Sequence, residues 1–271
     1  MSIKVGLAGA GAVARAHLRA FVRHQQVEAV QVADPCAEAR DRLAAEYGIL
    51  RRSCADLAEL LADESLELID LCTPPELHCE QALAALRAAK HVIVETPLAL
   101  TVQDCDEMIQ VAAETGRHLY CALNHRWFPA HRRAEEALAA GEIGRPLLGM
   151  VAVLGDQRPL AADLPNWRDS WQQAAGTTLL ESGYHAVYLL QRFFGPTSAV
   201  TVTTGKLSQP DSEAEVAADD TCLVALEMQS GALCNVVVTY AAAGDRWSEE
   251  RRLIGSEGSL LIRDNPEDEM P

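Results

Sequence analysis

Apolar positions in the first half of the chain fall in short, near-continuous runs separated by longer stretches with helical spacing. The runs Ile3 to Leu7, Val27 to Ala33, Leu68 to Cys72, His91 to Glu95 and Leu119 to Leu123 have the texture of strands buried on both faces. Helical periodicity covers Ala12 to Arg23, Ala37 to Tyr47, Asp56 to Ala62, Glu76 to Ala89 and Val102 to Thr115. End signals agree with this: Gly48 and Gly116 stand where helices stop, and Thr101 with Asp104 makes a capping-box-like start. Strands alternating with helices mean βαβ crossovers and a parallel sheet.

Beyond residue 124 the pattern changes. A helix is expected over Ala130 to Ala140, ending at Gly141, then a strand over Leu147 to Leu154 and a second helix over Leu179 to Phe194, stopped by Gly195-Pro196. Strands follow without intervening helices: Val200 to Leu207, Cys222 to Met228, Leu233 to Tyr240, Arg252 to Ile254 and Ser259 to Ile262, with Ser230-Gly231 as a hairpin turn. Gln209 to Asp220 reads as a surface loop and Asp264 to Pro271 as an acidic tail. The fold class is therefore α/β: a Rossmann-type doubly wound parallel sheet over residues 1–123, then an α+β domain with a largely antiparallel open sheet over 124–271.

Composition narrows the partners. With 39 acidic against 23 basic residues the formal charge is −16, which lacks the clustered Lys and Arg that phosphate backbones require, so no nucleic-acid partner is expected. No run approaches a membrane span, and Met1-Ser2-Ile3-Lys4-Val5 leads straight into a glycine turn, so the expected location is the cytoplasm. Eight cysteines without C-x-x-C or metal-like spacing read as reduced thiols, and no metal is expected. Only three residues are lysines: Lys4, Lys90 and Lys206.

The first strand empties into Gly9-Ala10-Gly11-Ala12-Val13-Ala14, a G-x-G-x-x-A turn opening a helix. Gly9 suits a tight turn, Gly11 lets the backbone approach a pyrophosphate, and small Ala14 allows close helix-to-strand packing. The helix N-terminus then offers N–H groups and a positive dipole end to phosphate. Asp34, at the end of the second strand, matches the carboxylate that holds an adenosine ribose 2′-hydroxyl. It favours NAD, while Arg40 one turn later keeps NADP open.

Further motifs carry a resemblance. Cys72-Thr73-Pro74-Pro75-Glu76-Leu77-His78, Glu95-Thr96-Pro97, Asn124-His125-Arg126-Trp127-Phe128-Pro129, Trp167-Arg168, the run Gly176 to His185 and Gly255-Ser256-Glu257-Gly258-Ser259-Leu260 occur in an order that resembles the Gfo/Idh/MocA family, the glucose-fructose oxidoreductase and inositol dehydrogenase group. The resemblance implies hydride transfer between a nicotinamide and a secondary alcohol or ketone of a sugar, cyclitol or related polyol. It makes His185 the acid/base, with Glu181 standing where the family has Asp. It places Glu95 near the nicotinamide ribose and implies a homo-oligomer paired through the second sheet. The family continues past the Gly255 to Gly258 turn, so this chain reads as a shortened member whose last sheet edge is open or covered by a partner chain.

On a helix, Glu181 and His185 would share one face, a pairing suited to removing an alcohol proton while hydride departs. Thr73, Pro74 and His78 lie where a strand's carboxyl end meets the ligand crevice, and His78 reads equally as a structural cap. Trp167 and Arg168 are candidates for the cofactor side, and Asn124, Arg126 and Tyr184 for the substrate side. The departure is Thr96, where the family has a catalytic lysine. Two readings stand: an active oxidoreductase with charge supplied by neighbouring groups, or a nucleotide-binding member with impaired or non-redox chemistry.

Overall fold

A computed structural model describes residues 2–48, 50–156, 178–207, 219–244 and 247–264. Trp167, Arg168, the motif start Gly176-Thr177, most of the loop expected over Asp156 to Trp171, most of that over Gln209 to Asp220, and the tail after Asp264 lie outside them. The chain divides into two compact units, Met1–Ala122 and Leu123–Pro271.

In the first unit, β1 (Ile3–Ala8), β2 (Val27–Ala33), β3 (Leu50–Cys54), β4 (Leu68–Leu71), β5 (His91–Val94) and β6 (Leu119–Cys121) form one sheet in the order β3-β2-β1-β4-β5-β6. Every pairing is parallel. The order reverses at the β1/β4 boundary, the switch point where doubly wound sheets bind ligands. Helices α1 (Ala12–Arg23), α2 (Ala37–Glu46), α3 (Leu57–Leu61), α4 (His78–Arg87) and α5 (Val102–Thr115) cover it. Two cores result, one joining Val5, Leu7, Leu18, Val32 and Leu43, the other Leu60, Ile69, Leu86, Val92 and Met108. Thr101 caps α5 by accepting from the Asp104 N–H, and Gly116 ends it at φ 63°. Gly48 does not do the same for α2: its φ is not positive, and Tyr47 closes the helix through an N–H bond to the Leu43 carbonyl.

Strand β3 escapes the apolar pattern. Its sequence Leu-Arg-Arg-Ser-Cys buries only the last residue, because an edge strand needs little apolar surface.

The second unit is built on β7 (Pro146–Leu154), β8 (Thr197–Gly205), β9 (Thr221–Met228), β10 (Leu233–Thr239), β11 (Ser248–Gly255) and β12 (Ser259–Asp264), ordered β12-β11-β7-β10-β9-β8. Four pairings are antiparallel, but β10 runs parallel to β7, with Val236 opposite Val151. The sheet is mixed and mostly antiparallel. Strict alternation along β9 buries Cys222, Val224, Leu226 and Met228 against α7 (Tyr184–Phe194), whose Leu189, Leu190 and Phe194 belong to the same core. Helix α6 spans Pro129–Ala139. The stretch expected to be helical from Leu179 enters α7 through a π-helical turn, Leu179–Gly183. Among the described residues, no helix is long and apolar enough to cross a membrane.

Candidate functional site

The glycine turn sits at the switch point. Gly9 has φ 95°, and a Cβ there would lie 2.5 Å from the Cys72 carbonyl oxygen, so no other residue fits without moving β4. Gly11 differs: among the described residues, no atom beyond its own chain neighbours lies within 4 Å of where its Cβ would be, so packing does not demand a glycine. That open cradle adjoins the N-terminus of α1, which has no side-chain cap and no acidic residue in its first turn. Ala12 and Val13 are exposed there, and Ala14 is fully buried against the sheet. A dinucleotide pyrophosphate fits this set, since free N–H groups and a positive helix end face the space a side chain would fill. Asp34 is held ready beside it: its carboxylate accepts from the Ala10 N–H at 2.7 Å and the Cys36 N–H at 2.8 Å, while Arg40 donates to the Asp34 carbonyl.

The turn Glu95-Thr96-Pro97 follows β5 at the same edge of the sheet. Glu95 accepts from the Thr96 N–H at 2.9 Å and the Thr96 hydroxyl at 3.3 Å through one oxygen. Its other oxygen meets His17 Nε2 of α1 at 2.7 Å, and His17 Nδ1 meets Asp70 of β4 at 2.7 Å. Asp70 is fully buried. Burial by itself would lower the His17 pKa, but the hydrogen bonds from Asp70, Cys72 and Glu95 outweigh it and raise it. Burial pushes the Asp70 carboxyl up against the opposing pull of His17. For Glu95, burial is outweighed by His17 and Thr96 and its pKa falls.

None of this cluster except Glu95 was visible as a site in the sequence. The signal was an aspartate in the middle of the apolar run Leu68-Ile69-Asp70-Leu71. Ligand-type atoms of His17, Asp70 and Cys72 come within 4.8 Å of one another, although burial pushes the Cys72 thiol up to about 12, leaving it a neutral and poor metal ligand.

His78 is placed otherwise than a cofactor contact requires. Its buried ring has Nδ1 at 2.8 Å from the Pro97 carbonyl and Nε2 at 2.8 Å from the Thr73 carbonyl, so it braces the loops after β4 and β5 against each other. The Thr73 hydroxyl donates to Gln81, and Pro74 is exposed. Lys90 is buried at the opposite end of β5, donating to the Asp63 and Leu66 carbonyls, and does not replace a lysine at position 96.

In the second unit, His185 at the start of α7 lies among rings. His125 stacks on it at 3.7 Å between centroids, Tyr184 Oη is 2.6 Å from its Nε2, and Tyr188 Oη is 3.2 Å from its Nδ1. Behind His125 stands Arg251, almost fully buried and paired with Glu249. Burial, then the electrostatic influence of His125, Arg251 and His131, pushes the His185 pKa down to about 2. The ring is neutral, so it accepts from one tyrosine and donates to the other.

Glu181 lies in the π-helical turn, whose wider hydrogen bonding takes it off the i to i+4 row expected on an ordinary helix. Gly183 allows that turn to approach β10, since a Cβ there would come 2.9 Å from Val238 Cγ2. Asn124 is exposed in the short 3₁₀ turn Asn124–Trp127, where Arg126 stacks its guanidinium 4.7 Å from the Trp127 ring centroid. His125, Arg251 and Tyr188 complete the cluster through contacts between distant segments.

Comparison with known proteins agrees with both units. Residues 3–123 match the model described as "Oxidoreductase family, NAD-binding Rossmann fold", and residues 131–261 match the GFO/IDH/MocA C-terminal domain. A 1,5-anhydro-D-fructose reductase from Ensifer adhaerens is 32% identical over 261 residues, 95% of this chain and 75% of the relative. A levoglucosan dehydrogenase from Pseudarthrobacter phenanthrenivorans is 27% identical over 295 residues, 99% of this chain and 75% of the relative. The crystal structure of the WlbA dehydrogenase from Bordetella pertussis, in complex with NADH and UDP-GlcNAcA, superposes with a TM-score of 0.88 at 26% identity, covering 97% of this chain and 74% of that one. The chain spans about three quarters of these relatives. With its glycine cradle, its parallel sheet and its mixed second sheet all matched along nearly its full length, the chain belongs to the Gfo/Idh/MocA family of NAD-binding oxidoreductases.

Proposed function

We propose that this oxidoreductase transfers a hydride between nicotinamide and a secondary alcohol or ketone of a sugar, cyclitol or related polyol. The observation that carries the reading is the open cradle at Gly11, beside an uncapped helix N-terminus and a preset Asp34 carboxylate. The backbone from Ala10 to Ala14 holds the pyrophosphate, Asp34 the adenosine ribose, and Thr73, Pro74 and Glu95 line the nicotinamide side. A bound nicotinamide supplies the hydride acceptor or donor. His185, neutral and bonded to Tyr184, takes up the hydroxyl proton by way of the Tyr184 hydroxyl as negative charge builds on the substrate oxygen, a charge that itself raises the imidazole's proton affinity. Glu181 supports it, and Asn124, Arg126 and Tyr184 bind substrate oxygens. The named relatives, a reductase and a dehydrogenase acting on sugar derivatives, support this substrate class and lend no support to loss of redox chemistry through Thr96. Asp34 favours NAD over NADP.

The sheet of the second unit exposes Met150, Leu223, Leu233 and Leu261, an apolar set that supports pairing of two copies through this face, checked by light scattering. The eight free cysteines support a reducing, cytoplasmic setting. The functional test is NADH binding followed by turnover across a polyol panel. Binding with turnover of one member is the expected result, and no turnover with any of them overturns the assignment.

A further inference from the structure

We propose that His17 is a positioning residue for the cofactor-facing turn, bridging the carboxylates of Asp70 and Glu95 and, through Glu95, fixing Thr96. The inference rests on the reading above that Glu95 lies on the nicotinamide side. Three elements converge on one imidazole: α1 supplies the ring, β4 the buried Asp70, and the end of β5 Glu95. Both ring nitrogens face carboxylate oxygens at 2.7 Å, so both carry protons and the ring is a cation between two anions.

A helix could be pinned to its sheet by one such bond. Here there are two, and they differ. Asp70 is completely buried, and its second oxygen has no hydrogen-bond partner among the described residues, a costly placement that the neighbouring imidazolium offsets. Glu95 is 18% exposed by side chain and lies past the strand end, where its free rotation would otherwise let the turn wander. Its second oxygen holds both the N–H and the hydroxyl of Thr96. The chain Asp70, His17, Glu95, Thr96 therefore runs from the core of the unit to the residue that replaces the family's lysine. A buried ion network that ends on a partly exposed turn acts by orienting that turn.

The test compares NADH with ADP, which has the phosphates and adenosine but no nicotinamide. In His17→Asn, loss of a charge-assisted bond to Glu95 is expected to weaken NADH binding about tenfold or more. ADP binding, which depends on the glycine cradle and Asp34, is expected to stay within about twofold. Glu95→Gln should reproduce the NADH loss, and the double variant should be no worse than the larger single, since both act through one interaction. Equal weakening of NADH and ADP, or no change in either, overturns the inference. Should His17→Asn fail to fold, nitrogen NMR of the wild-type imidazole decides: two protonated nitrogens at neutral pH are expected, and one overturns it. A wild-type protein with no NADH affinity overturns the cofactor reading itself, whereas normal wild-type binding with unaltered variants overturns only the role of His17.

Discussion

Acid should destabilise the second unit through His185. In the folded protein the ring is held neutral with its pKa pushed from 6.5 to about 2, first by burial and then by His125, Arg251 and His131. The unfolded chain takes a proton at the ordinary value, so below pH 6.5 it binds more protons than the native state. Stability is thus complete above that pH and is lost as pH falls toward the depressed value. Each pH unit in this window costs about 1.4 kcal/mol, or about 2.7 kcal/mol by about pH 4.5. For a unit of this size that lowers Tm by about 5–10 °C. The assay is thermal melting of wild type and His185→Gln between neutral pH and about pH 4.5. The variant starts less stable because it loses ring stacking and a tyrosine hydrogen bond. Its Tm should nevertheless fall less on acidification, since glutamine does not titrate and carboxylate effects are common to both proteins. Parallel pH dependences would refute the reasoning, because they would mean that the folded ring accepts a proton as readily as a solvated one.

Three further outcomes follow from the geometry. Gly9→Ala combines a positive φ with a clash against the Cys72 carbonyl, a strain of about 1–3 kcal/mol before the clash is counted. NADH titration should show at least about a tenfold loss of affinity, and urea melting should show lowered stability. Asp34→Ser removes the carboxylate that repels a 2′-phosphate, so the ratio of NADPH to NADH affinity should rise by about tenfold or more, and an unchanged ratio would separate Asp34 from cofactor choice. On the proposed reaction, Thr96→Lys supplies a cation to stabilise developing alkoxide charge, and kcat should rise by about tenfold or more. No rise would show that the reaction does not draw on charge at that position.

Much of the first unit was legible because its signals are local. A strand, a G-x-G-x-x-A turn and a helix follow one another within about twenty residues, and the geometry places Gly9, Gly11, Ala14 and Asp34 together at the switch point as that pattern implies. Edge strand β3 was missed because two arginines and a serine in a row carry no burial pattern. The parallel β7/β10 pairing was equally hidden, since strands separated by so much chain encode no partner locally.

At the chemical groups the same division holds. His185 stands out in the sequence by its motif, whereas the stack with His125 and the buried Arg251 behind it join segments far apart along the chain, Arg251 lying 126 residues from His125. Glu181 was expected to align with His185 on regular helical spacing, which the π-helical turn displaces. His78 looked available because it stands after a strand end, and only the converging Thr73 and Pro97 carbonyls show that its ring is occupied.

The central claim is that these residues serve nicotinamide-linked oxidation and reduction of a polyol carbon. Its most direct test follows NADH formation when the purified protein is mixed with NAD and each member of a panel of sugars, cyclitols and anhydrosugars, alongside His185→Ala. At least one compound is expected to drive NADH formation in the wild type, and the rate is expected to fall by about a hundredfold or more in the variant, the usual scale for loss of a general base. Full activity in His185→Ala, or a wild type that binds NADH firmly yet oxidises nothing and reduces none of the corresponding ketones, would contradict it.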